Sequence, residues 1–215
     1  MEIEFLGGNC VRVKTKTTTI IIDDNLAKIG GKSPQTDKTV ALFTNIELMG
    51  DATHKSRLVV DSPGEFEIGD ITVKGLQTRS HMDEEGQLSA TVYQFMAANQ
   101  TITVLGHIHP DLPGDLLELV SGTEVLVVPV GGNGYTLDPV GAVSVVKKLE
   151  PGVVIPTQYE IDGLSYEVPA SPLEEFLKLM PSTEEEPSNS CKLAKIVTGE
   201  GTSQTKVVVL NPLTK

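Results

Sequence analysis

The sequence contains no tryptophan, and aromatic residues make up only 4% of its 215 positions. A buried core must therefore be built mainly from valine, isoleucine and leucine, and an apolar fraction of 39% is sufficient for one. Because β-branched side chains suit strands better than helices, this composition favours a strand-rich fold. The length fits one larger domain or two small ones, and we expect a single domain spanning residues 1–215.

Cysteine is nearly absent from the chain. The two cysteines, Cys10 and Cys191, are far apart in sequence and form neither a disulfide framework nor a CxxC pair. Such usage is typical of a reducing compartment. Residues 1–5 lack the basic and apolar regions of a signal peptide, and no apolar run reaches the length of a membrane span. These absences predict a soluble cytoplasmic protein.

Positive charge is scarce as well. The chain has 17 Lys and Arg against 29 Asp and Glu, which gives a formal net charge of -12. A charge of this sign repels phosphate backbones and anionic membrane surfaces. The few neighbouring basic residues, such as Lys147 and Lys148, are typical of solvated faces. We therefore expect neither a nucleic-acid partner nor a membrane partner.

Several catalytic motifs are missing. No G-x-S-x-G occurs, so Ser-His-Asp catalysis has no support, and neither cysteine has a base beside it in sequence. One glycine-rich segment follows an apolar strand without matching the P-loop or the dinucleotide-binding fingerprint; it consists of Gly131, Gly132, Asn133 and Gly134. Its backbone N–H groups could bind a phosphate or carboxylate. A tight connection that needs positive φ is the favoured interpretation.

The apolar pattern predicts strands throughout the first half of the chain and alternating strands and helices afterwards. Strands are predicted at residues 3–6, 11–14, 19–22, 40–44, 58–60, 65–68, 71–76, 88–96, 101–105, 124–130 and 153–155. Helices are predicted at residues 113–120, at 138–149 and around the stripe Leu173, Phe176, Leu177 and Met180. The acidic, Pro/Ser-rich segment 181–190 predicts a mobile loop, and residues 193–210 predict a closing hairpin.

His107 and His109 lie two residues apart just after a predicted strand, and an extended backbone would put both imidazoles on one face. Such a pair can chelate zinc or manganese, but a catalytic zinc site needs three protein ligands and a structural site needs four. Only Asp111 and His81 are near enough in sequence to complete the set. Asp111 equally fits the N-cap of the next helix, and a surface loop is the favoured interpretation of the histidine pair.

Three segments carry a resemblance to a known family. They are residues 1–13 with 19–24, the motifs Leu-Val-Val-Pro-Val-Gly-Gly at 126–132 and Thr-Leu-Asp-Pro at 136–139, and Val-Val-Ile-Pro-Thr-Gln-Tyr at 153–159. Over nearly its whole length the chain resembles the lactonase-like branch of the metallo-β-lactamase superfamily, the branch that includes ascorbate-phosphate lactonase. The resemblance implies an α/β fold, a four-layer αββα sandwich of the metallo-β-lactamase type, strand-rich and reduced in helices. It also implies a two-metal site at one edge.

The resemblance assigns the metal ligands to positions that have mostly changed. An H-x-H-x-D-H motif of the family matches Asn45, Glu47, Met49 and Gly50 here. The next family histidine matches His81, the bridging aspartate matches His107, and the final histidine matches Gln158. Neutral amides, a thioether and a glycine cannot hold a tight bimetallic site, on which the activation of a water depends. These seven residues are therefore expected to line a former active-site cleft.

Three functions follow as hypotheses. The favoured one is a catalytically degenerate protein that needs no cofactor and binds an unknown small molecule or protein partner in the old cleft. The second is a metal-dependent hydrolase of esters, lactones or phosphodiesters. It would hold one Zn²⁺ or Mn²⁺ on His81 and His107, with His109 or Glu47. The third is a subunit interface, and with it a homo-oligomer, because short edge strands often dimerise.

Overall fold

Alternating apolar residues fold into two β-sheets that lie face to face. The computed structural model describes residues 1–49, 54–180, 187–193 and 205–213. One hydrophobic cluster joins the sheets, with Phe5 and Val13 from the first sheet and Val73 and Phe95 from the second. All four side chains are fully buried. Burying a side chain of this kind stabilises the fold by roughly 1.5–3 kcal/mol.

The first sheet has six strands in the order β12-β1-β2-β3-β4-β5. Their bounds are β1 Glu2–Gly7, β2 Cys10–Lys14, β3 Thr19–Ile22, β4 Val40–Leu42, β5 Leu58–Val60 and β12 Cys191–Lys192. β1, β2 and β3 are antiparallel, whereas β4 and β5 run parallel to β3. In β3, Ile20 and Ile22 join the shared core while Ile21 packs on the opposite face. Both faces of this sheet are therefore buried, as the period of two along a strand requires.

The second sheet has seven strands in the order β13-β11-β10-β9-β8-β7-β6. Their bounds are β6 Gly64–Ile68, β7 Ile71–Thr78, β8 Ala90–Ala97, β9 Gln100–Val104, β10 Val125–Pro129, β11 Val153–Thr157 and β13 Lys206–Val207. β6 to β9 form an antiparallel meander, and β9, β10, β11 and β13 are parallel. Every residue of β10 and β11 is buried, which explains their continuous apolar sequences.

Four α-helices occur in the described ranges: α1 Ile46–Met49, α2 Gly114–Val120, α3 Pro139–Leu149 and α4 Leu173–Leu177. α3 starts as its sequence predicts, because Asp138 Oδ1 accepts a hydrogen bond from the Gly141 N–H at 2.6 Å and Pro139 takes the first helical position. No helix within the described ranges is long and apolar enough to span a membrane.

The helices cover the outer faces of both sheets, and those on the first sheet are short. A 3₁₀ helix, Leu26–Ile29, packs on the outer face of the first sheet, and so does Leu48 of α1. On the second sheet α2 contacts β7 and β8, and α3 contacts β10. The layers thus run helix, sheet, sheet, helix. The expectation of a strand-rich α/β sandwich with few helices is confirmed.

The predicted strands and helices recur with shifted ends, and two local predictions were wrong. The stripe predicted near residue 173 is confirmed, because Phe176 is fully buried and Leu173, Leu177 and Met180 pack against the core. Residues 46–49, which follow the strand predicted at 40–44 and for which no helix was predicted, form the short α1. Asp111 does not cap α2: the N-cap is Pro113, which contributes no side-chain hydrogen bond. Asp111 lies two residues too early to reach the first free N–H groups.

The chain after residue 187 differs from the predicted closing hairpin. Leu193 donates its N–H to Met1 O at 3.1 Å, beside the first sheet. Lys206–Val207, in contrast, pairs in parallel with β11 of the second sheet, where Val207 is buried. The described ends of the predicted hairpin 193–210 thus lie on different sheets, and 194–204 lie outside the described residues.

The acidic segment 181–190 is only partly described, because residues 181–186 lie outside the described ranges. In its described part, Ser188 donates its N–H to Val209 O at 3.0 Å, and Asn211 donates to Ser188 O at 2.8 Å. These bonds tie the end of the segment to the strand-like chain near residue 210. The mobility of residues 181–186 and the single-domain assignment stay predictions.

Candidate active-site cleft

The candidate site lies where the carboxyl ends of several strands meet. Asp23 follows β3, Asn45 lies beyond β4, His107 lies beyond β9 and Gln158 follows β11. Because β3 and β4 are parallel, and β9, β10 and β11 are parallel, their connecting loops gather at one edge of the sandwich. Loops held by a rigid sheet in this way commonly carry binding and catalytic residues.

A small void lies at the end of β9. Its volume is about 10 Å³, which is about the space that one water molecule needs. The lining residues are Asn45, Glu47, Leu48, Ser80, Met82, His107 and Tyr135. The structure therefore brings Asn45, Glu47 and His107 together, as the resemblance implied. The space among them is nearly filled.

Tyr135 covers His107. Their ring centroids are 4.5 Å apart with the planes at 78°, and His107 is only 3% exposed. Among the residues that the structure describes, neither ring nitrogen of His107 has a hydrogen-bond partner of normal geometry. Burial lowers the pKa of His107 to about 4, with a smaller lowering from the charge of His81 and an opposing contribution from the backbone of Tyr135. The imidazole is therefore neutral at physiological pH.

His81 and His109 lie side by side at the rim, with ring centroids 6.3 Å apart. Burial and the charge of His109 lower the pKa of His81. The ring nitrogen His109 Nδ1 accepts the Asp111 N–H at 3.2 Å, and the Asp111 carboxylate lies 3.5 Å away. Neither His81 nor His109 lines the small void. The surface-loop interpretation of the histidine pair is therefore wrong for His107, which is buried, whereas His109 lies at the rim beside His81.

A larger cavity of about 270 Å³ lies beside the small void and shares Glu47, Leu48 and Tyr135 with it. Its other lining residues are Asn25, Lys28, Ile29, Gln158, Ser165, Tyr166, Glu167 and Val168. One wall is the loop 160–171, whose ends are joined by a hydrogen bond from Glu160 N to Ser171 O at 3.0 Å. The N–H of Ser165 donates to Ile29 O at 2.8 Å and holds this loop against the 3₁₀ helix.

Gln158 reaches the cavity through a backbone that is constrained at several points. Its φ is 55°, a left-handed value that side chains rarely adopt, and its N–H donates to Gly8 O at 2.7 Å. A Cβ on Gly131 would lie 1.9 Å from Gln158 O, so only glycine permits this approach. Gln158 is 3% exposed, and its Oε1 has no hydrogen-bond partner in the described part of the chain.

A buried network behind the cleft joins the two sheets. Asp23 accepts hydrogen bonds from Asn9 Nδ2 at 2.6 Å and from both the N–H and the hydroxyl of Thr44 at 2.7 Å. Asn9 Oδ1 in turn accepts from the hydroxyl of Thr157 at the end of β11 at 2.7 Å. Burial raises the pKa of Asp23 to about 6, and the bonds from Thr44 and Asn9 oppose that rise. This network holds the loops that carry the cavity walls.

The family can now be stated. Residues 2–158 match the family described as the beta-lactamase superfamily domain. The chain belongs to this superfamily. Among curated proteins no sequence matches it.

Solved structures of the superfamily have the same fold. The chain is similar to a candidate Zn-dependent hydrolase from Thermotoga maritima, with 24% identity and a TM-score of 0.72, covering 98% of this chain and 99% of that one. It is also similar to Igni18, a metallo hydrolase from Ignicoccus hospitalis, with 16% identity, a TM-score of 0.59 and coverages of 98% and 95%. YhfI from Bacillus subtilis, a metallo-beta-lactamase fold protein, has 8% identity, a TM-score of 0.58 and coverages of 98% and 96%. These likenesses show the fold alone, and the lactonase-like branch stays a prediction.

The residues present do not fit the two-metal centre that the superfamily resemblance implied. Asn45 Oδ1 accepts a hydrogen bond from the Glu47 N–H at 2.9 Å, so this side chain stabilises the first turn of α1. Met49 packs with Phe43 on the outer face of the first sheet, and Gly50 lies outside the described residues. Within the described part of the chain, no group of three or more His, Cys, Asp or Glu could hold a metal ion.

The glycine-rich segment forms a turn. Gly132, Asn133 and Gly134 all have positive φ, and the Gly132 N–H donates to Leu137 O at 3.0 Å. None of the four residues from Gly131 to Gly134 lines either described cavity. The N–H of Gly132 thus already has a hydrogen-bond acceptor. This supports the interpretation of the segment as a tight connection rather than as an anion-binding site.

Sequence reasoning missed most of the larger cavity. Asn25, Lys28, Tyr135, Tyr166 and Glu167 belong to no recognised motif, and they come from three separate loops. One signal was present, because Tyr135 directly follows the Gly-Gly-Asn-Gly turn and is one of only four tyrosines. An aromatic residue after a turn at the end of a buried strand is well placed to cover what lies beyond that strand.

Proposed function

We propose that this member of the beta-lactamase superfamily is catalytically degenerate and binds a small molecule in the 270 Å³ cavity. The observation that carries the proposal is the Tyr135 ring over His107, beside a void of only about 10 Å³. A metal-bound water that attacks a substrate needs ligands, space and solvent access. The Tyr135 ring over His107 hinders the approach of a metal, of a substrate and of solvent to this imidazole.

The larger cavity has the properties of a binding site. Its volume of about 270 Å³ is close to the lower end of known ligand pockets. Its wall combines apolar side chains, such as Ile29 and Leu48, with polar ones, such as Gln158 and Ser165. A buried unpartnered acceptor, Gln158 Oε1, costs stability unless another group pairs with it. A bound molecule that donates a hydrogen bond there removes this cost.

A second candidate is a hydrolase with one Zn²⁺ or Mn²⁺. The observation that favours it is the pair His81 and His109, with ring centroids 6.3 Å apart. Asp111, 3.5 Å from His109, is 87% exposed at its side chain and already contacts that imidazole. The pair lies apart from the cavity lining, so it supports this function less well.

Elemental analysis separates the two functions. The protein is purified without metal-affinity chromatography, incubated with excess Zn²⁺ or Mn²⁺, desalted and assayed on lactones, esters and phosphodiesters. The proposal expects metal far below one ion per chain and no turnover above the buffer rate. One ion per chain with turnover, both lost in the His81→Ala variant, would support the hydrolase instead. The Lys55→Ala variant, which changes an exposed residue away from the cleft, is the control.

A further inference from the structure

We propose that the ligand of the larger cavity is a small organic cation, such as an alkylammonium or alkylguanidinium, whose N–H groups are held by Glu47, Glu167 and Gln158. This inference rests on the proposed function, since it names the chemistry of the molecule that the cavity binds. It is carried by the charges on the walls and by the unpartnered oxygen of Gln158.

Two carboxylates face the cavity from different elements. Glu47 belongs to α1 and Glu167 to the loop 160–171. Apart from burial, the charges of Glu167 and Glu47 are the largest causes of the raised pKa of Tyr135, so both act on the space around this phenol. Neither carboxylate has a salt-bridge partner within the described residues. Lys28 is the one basic residue of the lining, which leaves a net negative wall.

Gln158 supplies an acceptor that is independent of the carboxylates. The residue is only 3% exposed, and within the described ranges its Oε1 has no hydrogen-bond partner. Asn25 Oδ1, also buried and unpartnered, lies nearby, because a Cβ added to Gly8 would be 3.4 Å from it and 3.7 Å from Gln158 Oε1. A group with several N–H donors pairs with both.

The remaining lining suits the other parts of an organic cation. Ile29, Leu48 and Val168 offer apolar contact to a hydrocarbon chain, and the rings of Tyr135 and Tyr166 offer cation–π faces. The chain as a whole carries a net charge of -12, which attracts cations from solution. A phosphate or a dicarboxylate would meet the like charges of the two glutamates.

The test uses matched probes on the full chain. Isothermal titration is done with 1,4-diaminobutane and butylguanidine, and with 1,4-butanediol and succinate as neutral and anionic probes of the same chain length. We expect the two cations to bind and the other two to show no binding. Glu47→Gln and Glu167→Gln should each weaken cation binding by about tenfold, whereas Lys28→Met should strengthen it.

The control is Glu160→Gln, because Glu160 is an exposed glutamate of the same loop that does not line the cavity. It removes one charge from the chain and should leave the affinity unchanged. If Glu160→Gln weakened cation binding as much as Glu47→Gln and Glu167→Gln do, the proposal would be overturned, since binding would then depend on the total charge of the chain alone. Circular dichroism of each variant shows that the fold is retained.

Failure of this inference is distinguishable from failure of the proposed function. If 1,4-butanediol or succinate binds, and Gln158→Ala abolishes that binding, the cavity binds a ligand but the cation proposal is overturned. If no probe binds and the protein holds one metal ion with turnover, both proposals are overturned. Binding of the cations that is lost in the Glu47→Gln, Glu167→Gln double variant supports both.

Discussion

Tyr135 stands edge-on against His107, with ring centroids 4.5 Å apart and planes at 78°. Such T-shaped pairs contribute about 0.5–1.5 kcal/mol beyond the area they bury. Tyr135 lines both cavities, as do Glu47 and Leu48, so its ring forms part of the wall between the small void and the larger cavity. The state of His107 is therefore decided by the turn after β10, not by its own strand.

Removing the Tyr135 ring should change the titration of His107. In Tyr135→Ala the imidazole becomes accessible, so its pKa should rise from about 4 toward the ordinary value of 6.5. The free energy of unfolding should fall by about 1–3 kcal/mol, because a half-buried aromatic ring is lost. The His107 proton shifts in an NMR titration measure the first effect and urea unfolding the second. Tyr135→Phe keeps the ring and serves as the control. An unchanged His107 pKa in Tyr135→Ala would show that the Tyr135 ring does not lower this pKa.

The pH dependence of stability should contain two opposing contributions. The pKa of His107 is lowered in the folded state. Its contribution to the free energy of unfolding is therefore present above pH 6.5 and is lost as the pH falls through about 4. The pKa of Asp23 is raised from 3.8 to about 6, so its contribution is present below 3.8 and is lost as the pH rises through about 6. Each is worth about 3 kcal/mol at most. Because the windows overlap, the stability of the native protein should change little between pH 4 and 6.

Single variants should expose each contribution. In Asp23→Asn the lowered pKa values of His107 and His81 act in the same direction, and the free energy of unfolding should increase with pH between about 4 and 6.5. In His107→Gln the raised pKa of Asp23 is the large shift that remains, against an opposing contribution from His81, and the free energy of unfolding should decrease between about pH 4 and 6. Urea unfolding at a series of pH values gives these slopes, independently of the overall loss of stability in each variant. Equal slopes in both variants would contradict the assignment.

Gly131→Ala should be severely destabilising. The added Cβ would lie 1.9 Å from Gln158 O, a backbone atom that cannot move without shifting the end of β11. We expect a loss of about 3 kcal/mol or more in urea unfolding. The matched variant Gly114→Ala adds a Cβ with no atom within 4 Å at the start of α2, and should be neutral or slightly stabilising. Comparable stability of the two variants would show that the close approach is absent.

Thr157 and Thr136 form a matched pair for the buried network. Both are at most 1% exposed, but the hydroxyl of Thr157 donates to Asn9 Oδ1 at 2.7 Å whereas that of Thr136 has no partner. Thr157→Val should cost about 1–3 kcal/mol, because Asn9 Oδ1 is left unpaired. Thr136→Val should be neutral or stabilising, since it removes an unpaired buried oxygen. Thermal unfolding compares the stability of the two variants directly. A larger loss of stability in Thr136→Val than in Thr157→Val would contradict the buried network.

Much of the fold could be predicted from the sequence. The strand at residues 58–60 was predicted with the observed bounds of β5, and α3 begins at Pro139 behind its Asp138 cap as expected. These elements follow from the period of the apolar residues and from capping chemistry, which act between residues that are near in sequence. Asn45, Glu47 and His107, which the family resemblance assigned to one cleft, line the same small void, because the folded sheets fix where the strand ends meet; their role as former ligand positions stays a prediction.

The cavity and its chemistry depended on contacts between residues that are distant in sequence. Tyr135 over His107, Gln158 against Gly131 and Asn9 beside Thr157 leave no periodic pattern along the chain. The sequence by itself determined the acidic charge and, through its composition and its family resemblance, the strand-rich sandwich. Only the tertiary structure decided that His107 is covered and that a separate cavity opens beside it. Packing density and burial belong to the folded arrangement of the side chains, not to their order in the chain.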